Sequence, residues 1–146
     1  MKKVMFGLLA FSLVAFTSCK KNEVLEDTQI PEAIVSYART NFLGNEISEC
    51  KIEKDGFKKF YNVNLTSNGV NLRFTEVSEI KEIHSTNELP ETVIQPAIFK
   101  YVDNNYSSNY ITNWVQDSKK KMQTIRLNDG LRLEFDSQGD FQRVVE

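Results

Sequence analysis

The chain carries one short pattern twice, and this duplication limits what it can fold into. Near the C terminus, the turn Asp129-Gly130 is followed by apolar residues at alternate positions and then by a short final apolar segment. The same order occurs 61 residues earlier, after Asn68-Gly69. A self-match at a fixed spacing indicates one supersecondary unit used twice. The matched pairs are Gly69 and Gly130, Leu72 and Leu133, Phe74 and Phe135, Ile80 and Phe141, and Ile83 and Val144.

Each copy of the pattern follows a segment with helical periodicity. Pro31 suits the first turn of a helix, and Gly44-Asn45 suits its end. The second helical segment matches the first at an offset of 64 residues, which places Pro96 inside it. Because an interior proline removes a hydrogen bond, we expect a first turn near Pro90, a restart at Pro96 and a regular helix to about Asn105. The apolar faces are Ile34, Tyr37 and Phe42, and then Ile98, Tyr101 and Tyr106.

The rest of each unit alternates apolar and polar residues, which is typical of antiparallel strands with one covered face. Asp55-Gly56 is a hairpin-turn signal in the first unit, and Lys119-Lys120-Lys121 occupies the corresponding place in the second. The expected fold is α+β, with two tandem helix-plus-four-strand repeats, residues 30–83 and 89–146. Together they are expected to form a roughly eight-stranded antiparallel sheet with both helices packed on one face.

The N terminus has the features of an export signal. Met1-Lys2-Lys3 precedes an apolar run, Val4 to Phe16, that is too short to cross the ~30 Å hydrocarbon core of a bilayer. Signal-peptide geometry fits this better. Small residues and then Cys19 close the run, which resembles a bacterial lipoprotein leader. The resemblance implies that residues 1–18 are removed, that Cys19 is lipidated, and that residues 19–29 form a tether to the membrane. The alternative is an ordinary secretory signal with an incidental cysteine.

The charge balance argues against a nucleic-acid partner. The formal net charge is −2, and removal of the leader with Lys2 and Lys3 leaves 16 basic against 20 acidic side chains, or −4. Phosphate binding needs a concentrated positive field, which this composition does not provide. We therefore expect no nucleic-acid partner.

From the leader we expect an exported lipoprotein that is anchored in the outer membrane, on either the periplasmic or the cell-surface side.

No constellation of catalytic or metal-binding residues is evident in the sequence. His84 is the only histidine, and Cys50 alternates with Ile52 on a predicted strand, which favours a buried, inert thiol. Trp114 occupies the place of Cys50 in the second unit, which favours a core position; the alternative is that its strand turns it outward, where it would join the binding face. Metal-ligand spacings, phosphate loops and hydrolase motifs are not found. We therefore expect a protein that is not an enzyme and uses no cofactor or metal.

A set of residues recurs in the same order in both units: Pro31, Asn41-Phe42, Gly69, Leu72 and Phe74, then Asn105-Tyr106, Gly130, Leu133, Phe135, Gly139, Phe141 and Val144. Their order resembles a known family, the PepSY-like, β-lactamase-inhibitor-like domain of secreted Bacteroidetes proteins. The resemblance covers nearly the whole mature chain and implies tandem helix-plus-sheet repeats and export. The relatives that give the family its name imply protein binding through the open sheet face. The first unit has Ser78 where the second has Gly139, which predicts a different turn there.

We interpret the chain as a binding protein that holds an unknown protein or peptide on its uncovered sheet face. One alternative is an inhibitor of a protease or other exported enzyme, acting through Ser107-Ser108-Asn109 or the lysine turn at 119–121. Another is a structural or assembly lipoprotein that pairs through a sheet edge. Aromatic and arginine side chains carry most of the energy in interfaces. The candidate binding face consists of Phe60, Asn62, Arg73, Met122, Arg126 and Arg132.

Overall fold

The computed structural model describes residues 22–145, so the predicted leader, Cys19 and the start of the predicted tether lie outside the described residues. This part of the chain forms two helices, α1 (Glu32–Asn41) and α2 (Pro96–Asn105), and nine strands. The strands are β1 (Glu23–Val24), β2 (Ile47–Asp55), β3 (Lys58–Leu65), β4 (Asn71–Thr75), β5 (Ile80–His84), β6 (Ile111–Asp117), β7 (Met122–Leu127), β8 (Arg132–Asp136) and β9 (Phe141–Val145).

All nine strands form one antiparallel sheet in which spatial order follows chain order from β1 to β9. Helix α1 lies between β1 and β2 in sequence, and α2 lies between β5 and β6. The two four-strand units therefore join edge to edge at the β5–β6 pair. The predicted α+β class is confirmed, and the short β1 adds one strand to the roughly eight that the sequence predicts.

Both helices cover the same face of the sheet, as predicted. Their buried residues belong to one hydrophobic core together with the inward-facing residues of the strands. The ring of Tyr37 on α1 meets the Phe74 ring edge-on with centroids 5.4 Å apart, and Tyr101 on α2 makes the same contact with Phe135, also at 5.4 Å. The helical residues that are buried are Ile34, Ala38, Ile98 and Val102.

Local chemistry explains where the helices begin and end. Helix α2 starts at Pro96, after a turn in which the Val93 amide donates to the Pro90 carbonyl at 3.2 Å, so the predicted restart is confirmed. Proline is tolerated there because the first-turn N–H has no helical partner. At the C termini, the Asn41 and Asn105 side chains donate to the carbonyls of Tyr37 and Tyr101 at 3.0 and 2.8 Å. These bonds fold each asparagine side chain back onto the last turn of its own helix.

The two units repeat down to their irregularities. The helices correspond at an offset of 64, and the register irregularity between Ile47 and Glu49 recurs between Ile111 and Asn113. The first hairpin is two residues longer, because six residues separate the pair Glu53 and Phe60, whereas four separate the pair Asp117 and Met122. The shorter second hairpin accounts for two of the three residues by which the offset falls from 64 to 61, and the turn after β7, one residue shorter than the turn after β3, accounts for the third.

The turn at Ser78 corrects one prediction. Ser78 has a φ of 63°, in the left-handed region where its counterpart Gly139 has 89°. The Ser78 amide donates to the Thr75 carbonyl at 2.9 Å, as the Gly139 amide donates to the Asp136 carbonyl at 3.2 Å. The first unit therefore keeps the same turn. The prediction of a different turn was wrong because the surrounding pairing holds serine in a conformation that it adopts less readily than glycine.

Part of the segment interpreted as a tether belongs to the sheet. Glu23 pairs with Ile52 and Val24 with Lys51, and the Leu25 amide donates to the Cys50 carbonyl at 2.8 Å. A 3-10 turn follows at Asp27–Gln29. A strand of two residues has no periodicity that could be seen in a sequence. In residues 22–145, no helix is long and apolar enough to span a bilayer.

Candidate functional site

The candidate site is the sheet face opposite the helices, called here the open face. Its side chains alternate with the buried ones along every central strand, and all are half-buried or exposed. Trp114, by contrast, is 6% exposed and points into the core. Its indole Nε1 donates to Gln123 Oε1 at 2.9 Å, and Gln123 Nε2 donates to Gln95 Oε1 at 3.1 Å and to the Asp136 carbonyl at 2.9 Å. The prediction that Trp114 is a core residue is confirmed.

A polar row crosses the open face from β2 to β8. Each member stands opposite the next in the strand register, and neighbours in the first half are hydrogen-bonded. Asn64 Nδ2 donates to Glu49 Oε2 at 3.1 Å, and Asn71 Nδ2 donates to Asn64 Oδ1 at 2.5 Å. The row consists of Glu49, Asn64, Asn71, His84, Asn113, Arg126 and Arg132.

The charge along this row runs from acidic to basic. The ammonium of Lys51 contacts Glu49 Oε2 at 2.8 Å, and this hydrogen bond lowers the pKa of the Glu49 carboxyl. At the other end, Arg126 and Arg132 face each other in register with no carboxylate ion pair among residues 22–145. Like charges directly opposite each other on a sheet are destabilising unless an anion joins them.

A groove of about 570 Å³ lies beside this row, where the two units meet. The Arg73 guanidinium carbon stands 4.4 Å from the centroid of the Phe60 ring, and Arg73 Nη1 is 3.3 Å from Glu53 Oε2. Asn62 Nδ2 donates to the same Glu53 oxygen at 2.8 Å. Arginine held on an aromatic ring and against a carboxylate presents a rigid contact surface. The groove is lined by Asp55, Lys58, Lys59, Phe60, Arg73, Thr75, Glu76, Val77, Lys81, Glu82, Val115, Gln116, Asp117, Ser118 and Lys119.

The six predicted face residues all lie on the open face but in two groups. Phe60 and Arg73 line the groove, and Asn62 stands opposite Arg73 in the register. Met122, Arg126 and Arg132 lie on β7 and β8. Since neighbouring strands are about 4.8 Å apart, the four steps from β3 to β7 separate the groups by roughly 19 Å. One small partner segment across the strands can contact both groups only if it spans that distance.

Sequence reasoning missed the groove residues that come from β5, β6 and the β4–β5 turn. Val115 is exposed beside buried Trp114, and Val77 is exposed at the tip of its turn. Glu82 faces Val115 across the junction of the two units. The alternation in β6 does carry the signal for Val115, because a buried Trp114 places its neighbour on the opposite face. The groove itself requires the β5–β6 pairing, which neither repeat shows alone.

Cys50 and His84, the residue types that could form a nucleophile and its base, lie on opposite faces of the sheet. Cys50 is a free thiol, 1% exposed on the covered face, and burial raises its pKa to about 11. His84 is exposed in the polar row, with Nδ1 2.7 Å from Asn113 Nδ2. A thiolate near neutral pH and a nearby base are both needed for nucleophilic cysteine chemistry. Within residues 22–145, no group of three or more His, Cys, Asp or Glu side chains is arranged to hold a metal ion.

The family model described as "Putative beta-lactamase-inhibitor-like, PepSY-like" matches residues 15–82 and 59–143, which together include nearly all the residues of both units. The chain belongs to this PepSY-like family. The family is not a known enzyme family. No match was found among curated proteins.

Solved structures share the fold of this PepSY-like chain. A Bacteroides vulgatus protein described as a "putative periplasmic protein from DUF2874 family" is 26% identical, with a TM-score of 0.77, over 88% of this chain and 99% of its own. A second Bacteroides vulgatus protein, described as a "putative periplasmic protein of unknown function", is 29% identical, with a TM-score of 0.78, over 86% of this chain and 100% of its own.

A third solved structure extends the similarity to another species. The Bacteroides thetaiotaomicron protein is described as a "putative calcium-regulated periplasmic protein". It is 24% identical to the PepSY-like chain, with a TM-score of 0.78, over 86% of this chain and 97% of its own. At this identity the similarity shows the fold alone.

Proposed function

We propose that this PepSY-like chain is an exported, non-enzymatic protein that is anchored to the membrane through lipidated Cys19 and binds a protein or peptide on its open face. The two more similar solved relatives are described as periplasmic, which supports export. The leader and Cys19 support a lipid anchor in the outer membrane. Several acyl chains hold a protein on a bilayer durably, whereas one chain does not.

The groove at the junction of the two units is the observation that carries the binding proposal. It combines the half-buried ring of Phe60 and the exposed side chains of Val77 and Val115 with charges of both signs around them. A groove of about 570 Å³ falls within the size range of small-molecule sites, but its mixed charge and its position on the uncovered sheet face suit a polypeptide segment. Arg73 and Phe60 are the residue types that carry most of the energy at such contacts.

A matched pair of double variants tests this proposal. The residues of the second unit that correspond to Phe60 and Arg73 are Met122 and Glu134, which lie outside the groove. In a cross-linking pull-down from the native envelope, Phe60→Ala/Arg73→Ala should weaken partner capture by about 30-fold, since loss of hot-spot contacts costs about 2 kcal/mol or more. Met122→Ala/Glu134→Ala should capture nearly as well as the unmodified chain.

Two results would contradict the proposal, one from the pull-down and one from circular dichroism of the same variants. Equal capture by both double variants would show that the groove does not bind the partner. Collapse of the circular dichroism signal in Phe60→Ala/Arg73→Ala would show that these residues act in folding, and Phe60→Leu with Arg73→Lys would then separate packing from recognition. The Arg73 side chain is 24% exposed and Phe60 is half-buried outside the hydrophobic core, so we expect the fold to survive their substitution.

Edge pairing is a second candidate, favoured by one observation on β9. Val144 is 46% exposed on this outer strand, whereas its counterpart Ile83 is 1% exposed because β6 covers β5. An edge strand with exposed apolar side chains invites pairing with another strand. Val144→Lys in the same pull-down discriminates between edge pairing and binding in the groove. Lysine on the edge strand blocks edge pairing and leaves the groove unchanged. Inhibition of an exported enzyme gains less support, since Asn109 in the candidate loop is bonded to Asn128 and does not protrude freely.

A further inference from the structure

Four of the strand connections lie at one end of the sheet, called here the hairpin end. Because consecutive strands are antiparallel neighbours, every second turn falls at the same end. The turns at this end span residues 56–57, 76–79, 118–121 and 137–140. The opposite end carries the turns at residues 66–70 and 128–131 and the connection from α1 into β2, which includes Leu43.

The register of β1 directs the N terminus toward the hairpin end. Glu23 stands opposite Ile52 and Val24 opposite Lys51, so moving back along the chain from Glu23 corresponds to moving forward along β2 toward Asp55. Cys19 precedes Glu23 by four residues. A chain of that length reaches at most about 14 Å, at 3.3–3.6 Å per residue. A lipid attached to Cys19 therefore holds the β1–β2 side of the sheet close to the bilayer.

The hairpin nearest to that anchor presents the side chains that a bilayer surface attracts. Phe57 forms its tip and is fully exposed. Lys54 and Lys59 face each other directly across the hairpin, and neither has an ion pair within residues 22–145, although the Lys59 ammonium lies 5.1 Å from the Tyr61 ring. Lys58 and Asp55 form the closing pair.

Lysines recur along the same end of the sheet. Seven of the nine lysines within residues 22–145 lie in or next to its turns, whereas the mature chain as a whole is acidic. Carboxylates are present there as well, and the Asp117 carboxyl accepts the amides of Lys119 and Lys120 at 3.0 and 3.2 Å. The seven lysines are Lys54, Lys58, Lys59, Lys81, Lys119, Lys120 and Lys121.

We propose that the β2–β3 hairpin rests on the membrane, with Phe57 in the interface and Lys54, Lys58 and Lys59 against anionic lipid headgroups. This inference rests on the lipidation of Cys19 in the proposed function. Aromatic rings favour the interfacial layer of a bilayer, and lysines next to it are attracted by anionic headgroups. The lipid keeps the protein at the membrane, and the hairpin sets which end of the sheet faces it.

Two tryptophan variants with matched exposure test the orientation. Mature full-length protein extracted from membranes is reconstituted in phosphatidylglycerol vesicles that contain brominated phosphatidylcholine. Phe57→Trp places a fluorophore at the hairpin tip, and Leu43→Trp places one at an equally apolar, exposed site on the opposite end. Phe57→Trp should be quenched several-fold more strongly than Leu43→Trp. The native Trp114 is buried and gives the same background in both.

A charge variant tests the role of the lysines. Lys54→Glu/Lys59→Glu in the Phe57→Trp chain should lose most of the extra quenching in phosphatidylglycerol vesicles. Lys100→Glu, on α2 and away from the hairpin, should leave it unchanged. Quenching that is insensitive to both substitutions would overturn the electrostatic part of the proposal.

The mass of the N-terminal fragment, read on the same samples, separates the possible failures. If the protein is acylated but Phe57→Trp and Leu43→Trp are quenched equally, the proposed lipid anchor is retained and the proposed orientation is wrong. Protein without acyl chains at Cys19 would overturn the anchor in the proposed function, and the orientation inference would fall with it. Acylated protein with selective quenching at position 57 supports both.

Discussion

The hydroxyl of Tyr37 is buried on α1 without a hydrogen-bond partner, and within residues 22–145 it is the only buried side-chain polar atom in this state. Its ring packs edge-on against Phe74, so the aromatic part of the side chain contributes to the packing of the core. A buried hydroxyl without a partner costs about 1–3 kcal/mol. The same burial raises the pKa of Tyr37 to about 12. The ring therefore stabilises the core while its hydroxyl reduces the gain.

Tyr37→Phe should raise the free energy of unfolding by about 1 kcal/mol, because it removes the unpaired hydroxyl and keeps the ring. It should also flatten the alkaline decline in stability. In the unmodified chain the unfolded tyrosine ionises from about pH 10, the usual pKa, whereas the folded one stays protonated to about 12. The stability that Tyr37 contributes is thus full below pH 10 and is lost as the pH rises toward 12.

Urea titrations at neutral and alkaline pH measure both effects, with Tyr101→Phe as the control from the second unit. A Tyr37→Phe protein that is less stable at neutral pH would show that the hydroxyl has a partner in solution.

For individual residues, the alternation of apolar and polar residues in the sequence predicted which side chains point into the core. It did not predict which partners those side chains contact there. Trp114 was expected in the core because it replaces Cys50, and the structure confirms this. Its partner Gln123 could not be predicted, since glutamine at an inward strand position has no preferred contact. That bond depends on α2 and β8 bringing Gln95 and Asp136 to the same place.

Gly139 shows how a turn and a helix depend on each other. Its φ is 89°, and a Cβ placed there would lie 2.7 Å from Gln95 Oε1 and 3.1 Å from the Ala97 Cβ. Gln95 immediately precedes α2, and its Nε2 donates to the Ser137 carbonyl at 2.9 Å. The β8–β9 turn therefore lies so close to the start of α2 that a Cβ at position 139 would displace the Gln95 side chain and crowd Ala97.

Gly139→Ala should destabilise the protein by more than Gly44→Ala does. Gly44 also has a positive φ, 78°, but a Cβ there would meet nothing within 4 Å, so the control carries only the backbone strain of about 1 kcal/mol or slightly more. The steric contact at Gly139 should add about 1–3 kcal/mol. Thermal unfolding of the two variants measures the difference. Equal losses would show that the turn can shift away from α2.

Element by element, the sequence was a good guide wherever a pattern ran over several residues. The bounds of α2, the restart at Pro96 and the eight longer strands follow from periodicity and turn residues. It failed at β1, where two residues pair with β2, and at Ser78, where a serine takes the conformation expected of glycine. In both cases the decisive contact is made with residues distant in sequence.

For the whole molecule, the β5–β6 pair makes one body out of two units. Ile83 faces Trp114 across this junction, and both belong to a single core that extends under both helices. The equivalence of Ile83 and Val144 was visible in the sequence, but their different burial was not, because it depends only on which strand ends the sheet. The groove of the open face lies along the same junction.

Ile83→Ala should lower the free energy of unfolding by about 2–5 kcal/mol, because it opens a cavity in the shared core. The loss should appear in one transition, with Trp114 fluorescence and far-UV circular dichroism coinciding. Val144→Ala, at the corresponding position on β9, should cost less than about 1 kcal/mol because that side chain is largely hydrated. Two separate transitions would show that the units unfold independently.

The two residues of β1 have a consequence for how copies of this chain meet. At the junction of the two units, β5 pairs with β6. Since β9 is the counterpart of β5, and β2 is the counterpart of β6, β9 of one molecule could pair with β2 of another in the same way. Such a head-to-tail contact would add one molecule after another, in a ring if the rotation closes and in a filament if it does not. Strand β1 already occupies that edge of β2, at Lys51 and Ile52. Glu23 and Val24 therefore occupy part of the strand edge that such a contact between copies would use.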